Sequence, residues 1–320
     1  MSLTKKFCLV YSFSMLMVLA SCGNATRSSS SKYKMGKNEQ FIEVPVFPSK
    51  EMGENMHLTI WLPASADPEK KLAVLYMNDG ENLFDSTRTW NKQEWKMDET
   101  LSRLLRSEKV RATMVVGIHN LGKRRLAQYM PKKVYQSLSD SSWLFLRGMA
   151  IGSGMELEPL LSDKYLAFVV NELKPFIDSL YPTLPDRGNT FMGGSGLGGL
   201  ISMYAICEYP HVFGGVMCIS SHWPGTVYSA APEVPLAYVN YLNEHMPDPE
   251  HHRFYFDYGT AETDSSDAPY QHWVDSCLQA HDYGSENLET LEFPGAEHNE
   301  NFWSRRLDTP LTFLLKMDNE

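Results

Sequence analysis

One short segment, "TFMGGSGLGGLIS" from Thr190, has the spacing of a catalytic turn. In the pattern G-x-S-x-G, a sharp turn from a strand into a helix exposes a serine that attacks acyl groups. Gly194 and Gly198 provide the two flanking glycines, which are small enough for so tight a turn. The serine position is Gly196, and the nearest serine, Ser195, comes one residue too early. The segment therefore predicts a nucleophile turn without its nucleophile.

The same glycines also fit a dinucleotide-binding pattern. Gly194, Gly196 and Gly199 satisfy G-x-G-x-x-G, a phosphate-binding turn. Such a turn usually follows the first strand, with an acidic residue about 20 positions later that holds the ribose. Here it follows several predicted strands, and the next strand ends in "CISSHWPG", which contains no carboxylate. We therefore rank a dinucleotide-binding oxidoreductase last among the candidate functions.

A hydrolase with a nucleophile turn needs an acid and a histidine later in the chain, each on a loop after a strand. The segment "RFYFDYGTAETD" places Glu262 just beyond one predicted strand. The segment "LETLEFPGAEHNENFW" places His298 just beyond the next. The order of nucleophile position, acid and base is therefore the order expected of such a hydrolase.

The elements that must position these residues alternate along the chain from Gln40 onward. "FIEVPVF" and "LTIWLP" predict an opening antiparallel pair of strands. Later strands are predicted at "LAVLYMND", "ATMVVGI", "TFMGG", "FGGVMCIS", "RFYFDYG" and "LETLEFPG". Helices are predicted between them, for example near Glu94 to Arg106 and around Tyr270 to His281. This alternation predicts an α/β fold with a mostly parallel central sheet and helices on both faces.

One connection stands apart from this alternation. The segment from His119 to Leu161 is irregular and rich in Arg, Tyr, Ser and Gly. It is long for a simple connection. We therefore predict that it forms a binding loop or a cap over the site.

The composition is that of a globular protein. The chain has 320 residues, of which 43% are hydrophobic and 21% charged, enough for a sizeable core. The formal net charge is −10, and no Lys/Arg-rich run is present, which argues against a nucleic-acid partner. Since no internal repeat or second linker is apparent, a single folded domain is predicted over residues 40–320.

The N-terminal residues have the pattern of a targeting segment. Lys5 and Lys6 precede an apolar run, Phe7 to Ala20, that is shorter than the roughly 20 residues of a membrane-spanning helix. The run ends in "LASC", which resembles a bacterial lipobox and implies cleavage before Cys22 and a lipid on its sulfur. An ordinary signal peptide is the alternative.

These features divide the start of the chain into two parts. Residues 1–21 are predicted to be a lipoprotein signal peptide, and the polar, Ser-rich residues 22–39 a flexible tether. The expected location is the bacterial cell envelope, with the lipid anchor holding the protein at the outer membrane or the periplasmic face. With an ordinary signal peptide the protein would be secreted.

The cysteines and paired histidines predict no metal site. After processing, Cys207, Cys218 and Cys277 remain free, without C-x-x-C spacing, and are best explained as small buried residues. His251 and His252 are adjacent, so their side chains point apart, and no H-E-x-x-H pattern accompanies them. No metal and no cofactor are therefore assigned.

The chain from about Gln40 to Met317 resembles the putative-esterase family of α/β-hydrolases, which includes esterase D-type, feruloyl and siderophore esterases. The matching segments occur in the family's order: "VLYMNDGENLFD", "GIHNLGKRRLAQYMP", "GGSGLGGLISMYA", "YPHVFGGVMCISS", "YGTAET" and "GAEHNENFW". The resemblance implies an α/β-hydrolase fold and carboxylic-ester hydrolysis. Its implied substrate is an acetyl or feruloyl ester of carbohydrate, with a siderophore ester or a small xenobiotic ester as alternatives.

The resemblance also implies roles for individual residues. His298 would be the general base and Glu262 the acid that orients it, with Asp264 and Asp267 as alternative acids. The oxyanion hole would use the backbone N–H groups of Glu81 and Leu197. The residues implied to line the pocket or to order the loop beneath it are Trp223, Trp303, Arg125 and Tyr129.

The glycine at position 196 departs from the family pattern and leaves three explanations. The chain is an engineered esterase variant, a natural protein that binds without hydrolysing, or an enzyme in which Ser195 replaces the nucleophile by a shift of one residue. The third would put Leu197 where the turn needs a small residue. The retained Glu262 and His298 favour a recent or deliberate loss of the serine.

Overall fold

The computed structural model describes residues 38–65, 69–225 and 233–317. The predicted signal peptide, Cys22 and the tether up to residue 37 lie outside the described residues and stay predictions. Within the described ranges, no helix combines the length and apolar character needed to cross a membrane.

All eight predicted strands form, and they join one sheet in the order β1-β2-β4-β3-β5-β6-β7-β8. The opening pair is antiparallel, as predicted, and β2 also runs antiparallel to β4, whereas all later pairings are parallel. The strands are β1 (Gln40–Ser49), β2 (Glu54–Leu62), β3 (Ala73–Asn78), β4 (Thr113–Ile118), β5 (Thr190–Ser195), β6 (Gly215–Ile219), β7 (Arg253–Gly259) and β8 (Leu288–Phe293).

The helices alternate with the strands as predicted, and two short helices follow the last strand. A π-helical turn, Val169–Leu173, joins α5 to α6. The α-helices are α1 (Met97–Arg106), α2 (Arg125–Tyr129), α3 (Lys132–Gln136), α4 (Asp140–Gly152), α5 (Ser162–Phe168), α6 (Lys174–Leu180), α7 (Leu197–Glu208), α8 (Glu233–His245), α9 (Ala268–Ala280), α10 (Glu300–Arg306) and α11 (Asp308–Leu314).

The core lies on both faces of the sheet, which explains the uninterrupted apolar runs in the central strands. In β3, Val74 and Tyr76 pack into one buried cluster, whereas Leu75 and Met77 pack into the cluster on the opposite face. Because helices cover both faces, successive side chains of a parallel strand are buried regardless of the face to which they point. This is the predicted architecture, and it is the α/β-hydrolase fold.

The segment predicted to be an irregular loop or cap contains three helices, α2, α3 and α4. Its helical pattern is hidden in the sequence because α4 keeps large apolar side chains exposed, among them Leu144 and Ile151. A helix whose outer face is also apolar lacks the polar stripe by which an amphipathic helix is recognised. The segment still lies beside the site, since Met149 and Met155 line its cavity.

The carboxyl ends of the parallel strands lie along one edge of the sheet, where α/β folds bind their ligands. Asp79 follows β3, Gly196 follows β5, and Ser220 follows β6. Asp264 comes shortly after β7, and His298 shortly after β8. The topology therefore gathers residues that are more than 200 positions apart at one edge.

Candidate active site

The glycine turn has the backbone of a nucleophile elbow. Gly196 lies between the last residue of β5 and the first residue of α7, with φ 55° and ψ −119°. A residue with a side chain is strained in this conformation, by about 1–3 kcal/mol. The turn is also crowded, because a Cβ on Gly199 would lie 2.5 Å from Ser221 Oγ. These features match the predicted strand-to-helix turn.

Asn78, at the end of β3, ties the turn to the neighbouring strand. Its Nδ2 donates to the carbonyl oxygens of Gly193 (3.1 Å) and Gly198 (3.0 Å), on either side of the elbow. Its Oδ1 accepts a hydrogen bond from the buried Tyr165 hydroxyl. The backbone of the elbow is thus held from below by a buried amide whose oxygen and nitrogen both have partners.

Gly196 has no side chain, and the vacancy, the space that a side chain at this position would occupy, faces His298. A Cβ built on Gly196 would lie 3.2 Å from His298 Nε2 and 3.5 Å from Cε1. A hydroxyl carried on that Cβ would therefore lie within hydrogen-bond reach of the imidazole. Ser195 also lines the cavity, but it is the last residue of β5 and only 5% exposed. The elbow geometry thus belongs to position 196 and not to Ser195.

Behind the imidazole lies Asp264. His298 Nδ1 is 2.5 Å from Asp264 Oδ1, and the second carboxylate oxygen accepts from Ser220 Oγ (2.6 Å) and the Gly259 N–H (2.8 Å). Burial alone would raise the pKa of Asp264, but the hydrogen bond and charge of His298 and the hydrogen bonds from Ser220 and Gly259 lower it below its usual value. An ionised Asp264 keeps the proton of His298 on Nδ1, so that Nε2 offers its lone pair toward Gly196.

The predicted pairing of His298 with Glu262 is wrong. Glu262 begins a 3-10 turn, Glu262–Ser266, and its side chain is exposed. The turn brings Asp264 back under the end of β7, where its side chain is fully buried. Of the two alternative acids, Asp264 therefore takes the position, and Asp267 contacts a different histidine.

Asp267 forms a second histidine–aspartate pair on the same cavity. Its Oδ2 lies 3.3 Å from His222 Nδ1, and His222 lines the cavity beside Gly196 and His298. His222 follows β6 in the segment "SSHWPG". His222 did not stand out in the sequence, because it comes before the acid in the chain, whereas the expected order places the base after the acid.

A buried network that sequence reasoning missed supports Asp264. Ser220 donates to Asp264 and accepts from Trp303 Nε1 (3.1 Å) and Arg306 Nη2 (2.7 Å). The same Arg306 nitrogen donates to Asp257 Oδ1 at 2.8 Å. Burial raises the pKa of Asp257 to about 6, although the Arg306 charge opposes that shift. The signal available in the sequence was a carboxylate inside the apolar strand "RFYFDYG", since a buried charge requires a partner.

The two predicted oxyanion donors are both at helix starts beside the vacancy. Leu197 is the first residue of α7, and Glu81 lies in the 3-10 turn Gly80–Asn82. The first N–H groups of a helix have no partner within the helix and carry partial positive charge. Both residues line the cavity together with Gly196 and His298. Their placement is compatible with the predicted role.

The loop that carries Glu81 is held by Asp79, which adopts a left-handed conformation with φ 54°. The Asp79 carboxylate accepts two hydrogen bonds from Arg125, both 2.7 Å long, and one from Asn120 at 2.8 Å. Its backbone N–H donates to the Tyr129 hydroxyl at 3.1 Å. Arg125 and Tyr129 therefore position this loop, and Tyr129 is fully buried beneath it instead of contacting the cavity.

The two predicted pocket tryptophans differ. Trp303 lines the cavity and packs edge-on against His298, with ring centroids 5.1 Å apart. Trp223 is fully buried, donates to Gln271 Oε1 at 3.0 Å and belongs to the core. The prediction that Trp223 lines the pocket is therefore wrong, because the chain turns after His222 and directs the next side chain inward.

The cavity over the vacancy has a volume of about 630 Å³. Its wall combines apolar side chains, such as Leu126, Met149 and Met155, with the exposed Trp90. Among the described residues that line it, Arg125 is the one arginine or lysine, and Asp79 neutralises it. The acidic side chain of Glu300 adds negative charge to the same wall, and Glu81 adds charge as the pH rises through about 7.

Glu81, whose backbone N–H is a candidate oxyanion donor, also carries a titratable side chain beside the cavity. Burial and the charge of Asp79 raise the pKa of Glu81 to about 7. Its carboxylate accepts a hydrogen bond from the Asn120 N–H at 3.2 Å. A carboxyl group whose pKa is higher in the folded chain than its ordinary value of 4.5 favours folding in its neutral form.

We expect Glu81→Gln to remove a pH dependence of stability. The stabilising contribution of Glu81 to the free energy of unfolding is fully present below about pH 4.5 and is lost as the pH rises through about 7. The variant should therefore be more stable than the parent at pH 8, by about 1–3 kcal/mol, and similar to it near pH 4.5. Urea unfolding at pH 5, 6, 7 and 8 measures this difference. Parallel pH profiles would contradict the assignment, and Glu262→Gln, at an exposed carboxylate, is the control.

Comparison with known proteins gives the same picture. A model of the protein family described as "Putative esterase" matches residues 49–146 and 153–314 of the chain. One curated relative, "Uncharacterized protein YjcH" from Bacillus subtilis (strain 168), is 26% identical over 225 residues, which are 70% of this chain and 74% of the relative.

Solved structures of esterases share the fold. A ferulic acid esterase superimposes with a TM-score of 0.61 at 16% identity, over 87% of this chain and 98% of that chain. The enterobactin esterase FES from Shigella flexneri superimposes with a TM-score of 0.63 at 16% identity, over 88% of this chain and 60% of the other. The BES protein from Bacillus cereus superimposes with a TM-score of 0.61 at 18% identity, over 88% of this chain and 97% of that chain. At such low identities the likeness shows the fold alone.

Proposed function

The chain belongs to the esterase family, whose members are carboxylic-ester hydrolases, and we propose that it carries a serine-type hydrolase site with the nucleophile position occupied by Gly196. One observation carries the proposal: a Cβ on Gly196 would lie 3.2 Å from Nε2 of a histidine whose Nδ1 is bonded to a buried aspartate. That is the arrangement of a serine–histidine–aspartate triad with its first member removed.

The reaction for which this site is arranged is acyl transfer to water in two steps. A hydroxyl at position 196 would pass its proton to His298 Nε2 while its oxygen attacks the ester carbonyl, and Asp264 would stabilise the imidazolium. The N–H groups of Leu197 and Glu81 would receive the developing oxyanion, each donor contributing about 3–4 kcal/mol. Departure of the alcohol takes the proton back from His298, and water then removes the acyl group by the same route.

Without a hydroxyl, Gly196 cannot form the acyl-enzyme, so the chain as written is impaired in hydrolysis. Loss of the nucleophile from a triad costs about 10⁶-fold in rate and leaves substrate binding in place. This supports the second candidate, a protein on the same fold that binds an ester or related ligand without turning it over. The base, the acid and the candidate donors are all retained, which favours a site that lost only its serine.

For the substrate we propose a neutral acyl ester of carbohydrate, with an acetyl or feruloyl group. The apolar wall and Trp90 suit an acyl chain or an aromatic acid. The surplus of carboxylates, together with an arginine already paired to Asp79, disfavours a multiply anionic catecholate ester. The charge of the cavity thus supports the carbohydrate ester over the catecholate ester as the proposed substrate.

A panel of esters tests the substrate proposal. In the Gly196→Ser variant, methyl ferulate and an acetylated xylo-oligosaccharide should be hydrolysed with at least about tenfold higher kcat/KM than the trianionic iron(III) complex of a tris-catecholate trilactone. The opposite order would overturn the substrate class. If the folded serine variant hydrolyses no ester while the parent binds these compounds by calorimetry, the ligand-binding function replaces the enzymatic one.

A further inference from the structure

Two histidines and a glutamate meet at the outer part of the sheet, and none of the three lines the cavity of Gly196 and His298. His57 lies on β2, Glu43 on β1, and His119 directly after β4. Each offers one ligand atom, and the three atoms all lie within 4.8 Å of one another. Glu43 is exposed and the two histidines are half-buried. The sequence pattern singles out only the adjacent His251 and His252, because the members of this cluster are up to 76 positions apart.

Antiparallel pairing places all three side chains on one face. Glu43 lies opposite Thr59 in the β1–β2 register, and Thr59 lies opposite Gly117 in the β2–β4 register. His57 is two residues from Thr59 and therefore shares its face. The His119 N–H donates to the His57 carbonyl oxygen at 3.0 Å, which sets the two histidines opposite each other. The cluster is thus a product of strand register.

The distances within the cluster approach those of a metal site. His57 Nε2 lies 3.0 Å from Glu43 Oε2, where a hydrogen bond now joins them. Two ligands on a tetrahedral zinc ion are about 3.4 Å apart, given metal–ligand bonds of about 2.1 Å. The imidazole rings stack with centroids 3.8 Å apart at an interplanar angle of 22°, so their in-plane lone pairs run nearly parallel and one ring must turn before both can bind a single ion. His57 is 35% exposed and has room to turn its ring toward an ion.

Neighbouring groups orient the prospective ligands. The Thr59 hydroxyl lies 3.1 Å from Glu43 Oε2 and 2.9 Å from His119 Nε2. Arg88 Nη1 donates to the other glutamate oxygen, Oε1, at 2.8 Å, which leaves Oε2 directed at the histidines. The Arg88 contact, on the carboxylate oxygen that does not face the histidines, is the kind of outer contact that commonly holds a metal ligand in position. A neighbouring cavity of about 530 Å³, lined by Glu43 and His119, gives access for an ion and for an exogenous fourth ligand.

The donor atoms themselves also suit a metal. Two imidazoles and one carboxylate form a donor set favoured by zinc and related ions.

We propose that Glu43, His57 and His119 bind a divalent metal ion of the zinc type through three protein ligands and one exogenous ligand. The ion would replace the hydrogen bond between His57 and Glu43 and would join β1, β2 and β4. Since β1 is an edge strand, this link would stabilise the outer part of the sheet. The three proposed ligands take no part in the proposed esterase site, although Glu81 borders the cavities of both sites.

Zinc titration of the metal-stripped full chain by calorimetry tests the proposal. We expect one site, with a dissociation constant on the order of micromolar, since the site has three protein ligands and is partly exposed. His57→Asn and His119→Asn should each weaken binding by at least about tenfold. The melting temperature should rise with zinc in the parent and not in these variants. Cobalt(II) bound at the same site should show the visible absorption of a four-coordinate ion.

A matched control separates this site from adventitious surface binding. His251, which lies 2.7 Å from an Asp248 oxygen on another surface, forms a comparable exposed histidine–carboxylate pair. His251→Asn should leave zinc affinity unchanged. Absence of binding at millimolar zinc would overturn the proposal, as would binding that survives His57→Asn and His119→Asn. Melting temperatures without metal show whether each variant is folded, and since the ligands are at least partly exposed, folded variants are expected.

Discussion

Replacing Gly196 with serine is expected to give the chain esterase activity. The new Cβ would lie 3.2 Å from His298 Nε2, which places the hydroxyl beside its base once the ring shifts by a few tenths of an ångström. Loss of a triad nucleophile lowers kcat by about 10⁶-fold, and we expect the serine to raise the rate of hydrolysis by at least about 10³-fold over the parent. Hydrolysis of p-nitrophenyl acetate by the parent and the variant, followed by absorbance, measures the gain.

Gly196→Ala is the matched control for this experiment. Alanine introduces the same Cβ at φ 55° and should cost about the same stability as serine, of the order of 1–3 kcal/mol, but it has no hydroxyl. The alanine variant should therefore melt like the serine variant and hydrolyse like the parent. Activity that appears with alanine, or a parent that reacts with a fluorophosphonate until Ser195→Ala removes the reaction, would show that the nucleophile is misplaced.

In the serine variant, the acid is expected to be Asp264 and not Glu262. Asp264→Asn should lower kcat by about 10⁴-fold, because an asparagine no longer holds the Nδ1 proton and Nε2 loses its role as base. Glu262→Gln should leave kcat within about threefold, because an exposed side chain away from the imidazole contributes little. The two substitutions are a pair of isosteric changes only two residues apart.

Steady-state kinetics of the two double variants, with circular dichroism as a test of folding, decide between the acids. A substantial loss of kcat in Glu262→Gln, together with a retained kcat in Asp264→Asn, would overturn the assignment of Asp264. Asp267→Asn provides a further comparison, since its partner is His222 at 3.3 Å and not His298. It should therefore affect activity less than Asp264→Asn does.

The placement of the glycine turn illustrates which features are encoded locally. The run "TFMGG" followed by "LGGLISMYA" specifies a buried strand and a buried helix within a few residues. The small residues between them permit only a tight connection. For this reason the elbow at Gly196, the eight strands and the order of nucleophile position, acid and base followed from the sequence.

The choice of acid illustrates the opposite case. Glu262, Asp264 and Asp267 all follow β7 within a few residues, and each has a carboxylate. Which carboxylate reaches His298 depends on a single 3-10 turn and on hydrogen bonds from Ser220 and the Gly259 N–H. These partners come from other strands or from the backbone, so spacing along the chain does not reveal them.

The sequence by itself determined the α/β architecture, the tight turn at Gly196 and the placement of His298 after the last strand, because strand and helix periods and tight turns are local properties. The tertiary structure alone decided that Asp264 supports His298, that Trp303 and not Trp223 faces the cavity, and that the cap is helical. It also decided that Glu43, His57 and His119 meet. Each of these depends on contacts between elements far apart in the chain, which strand register and packing establish only after folding.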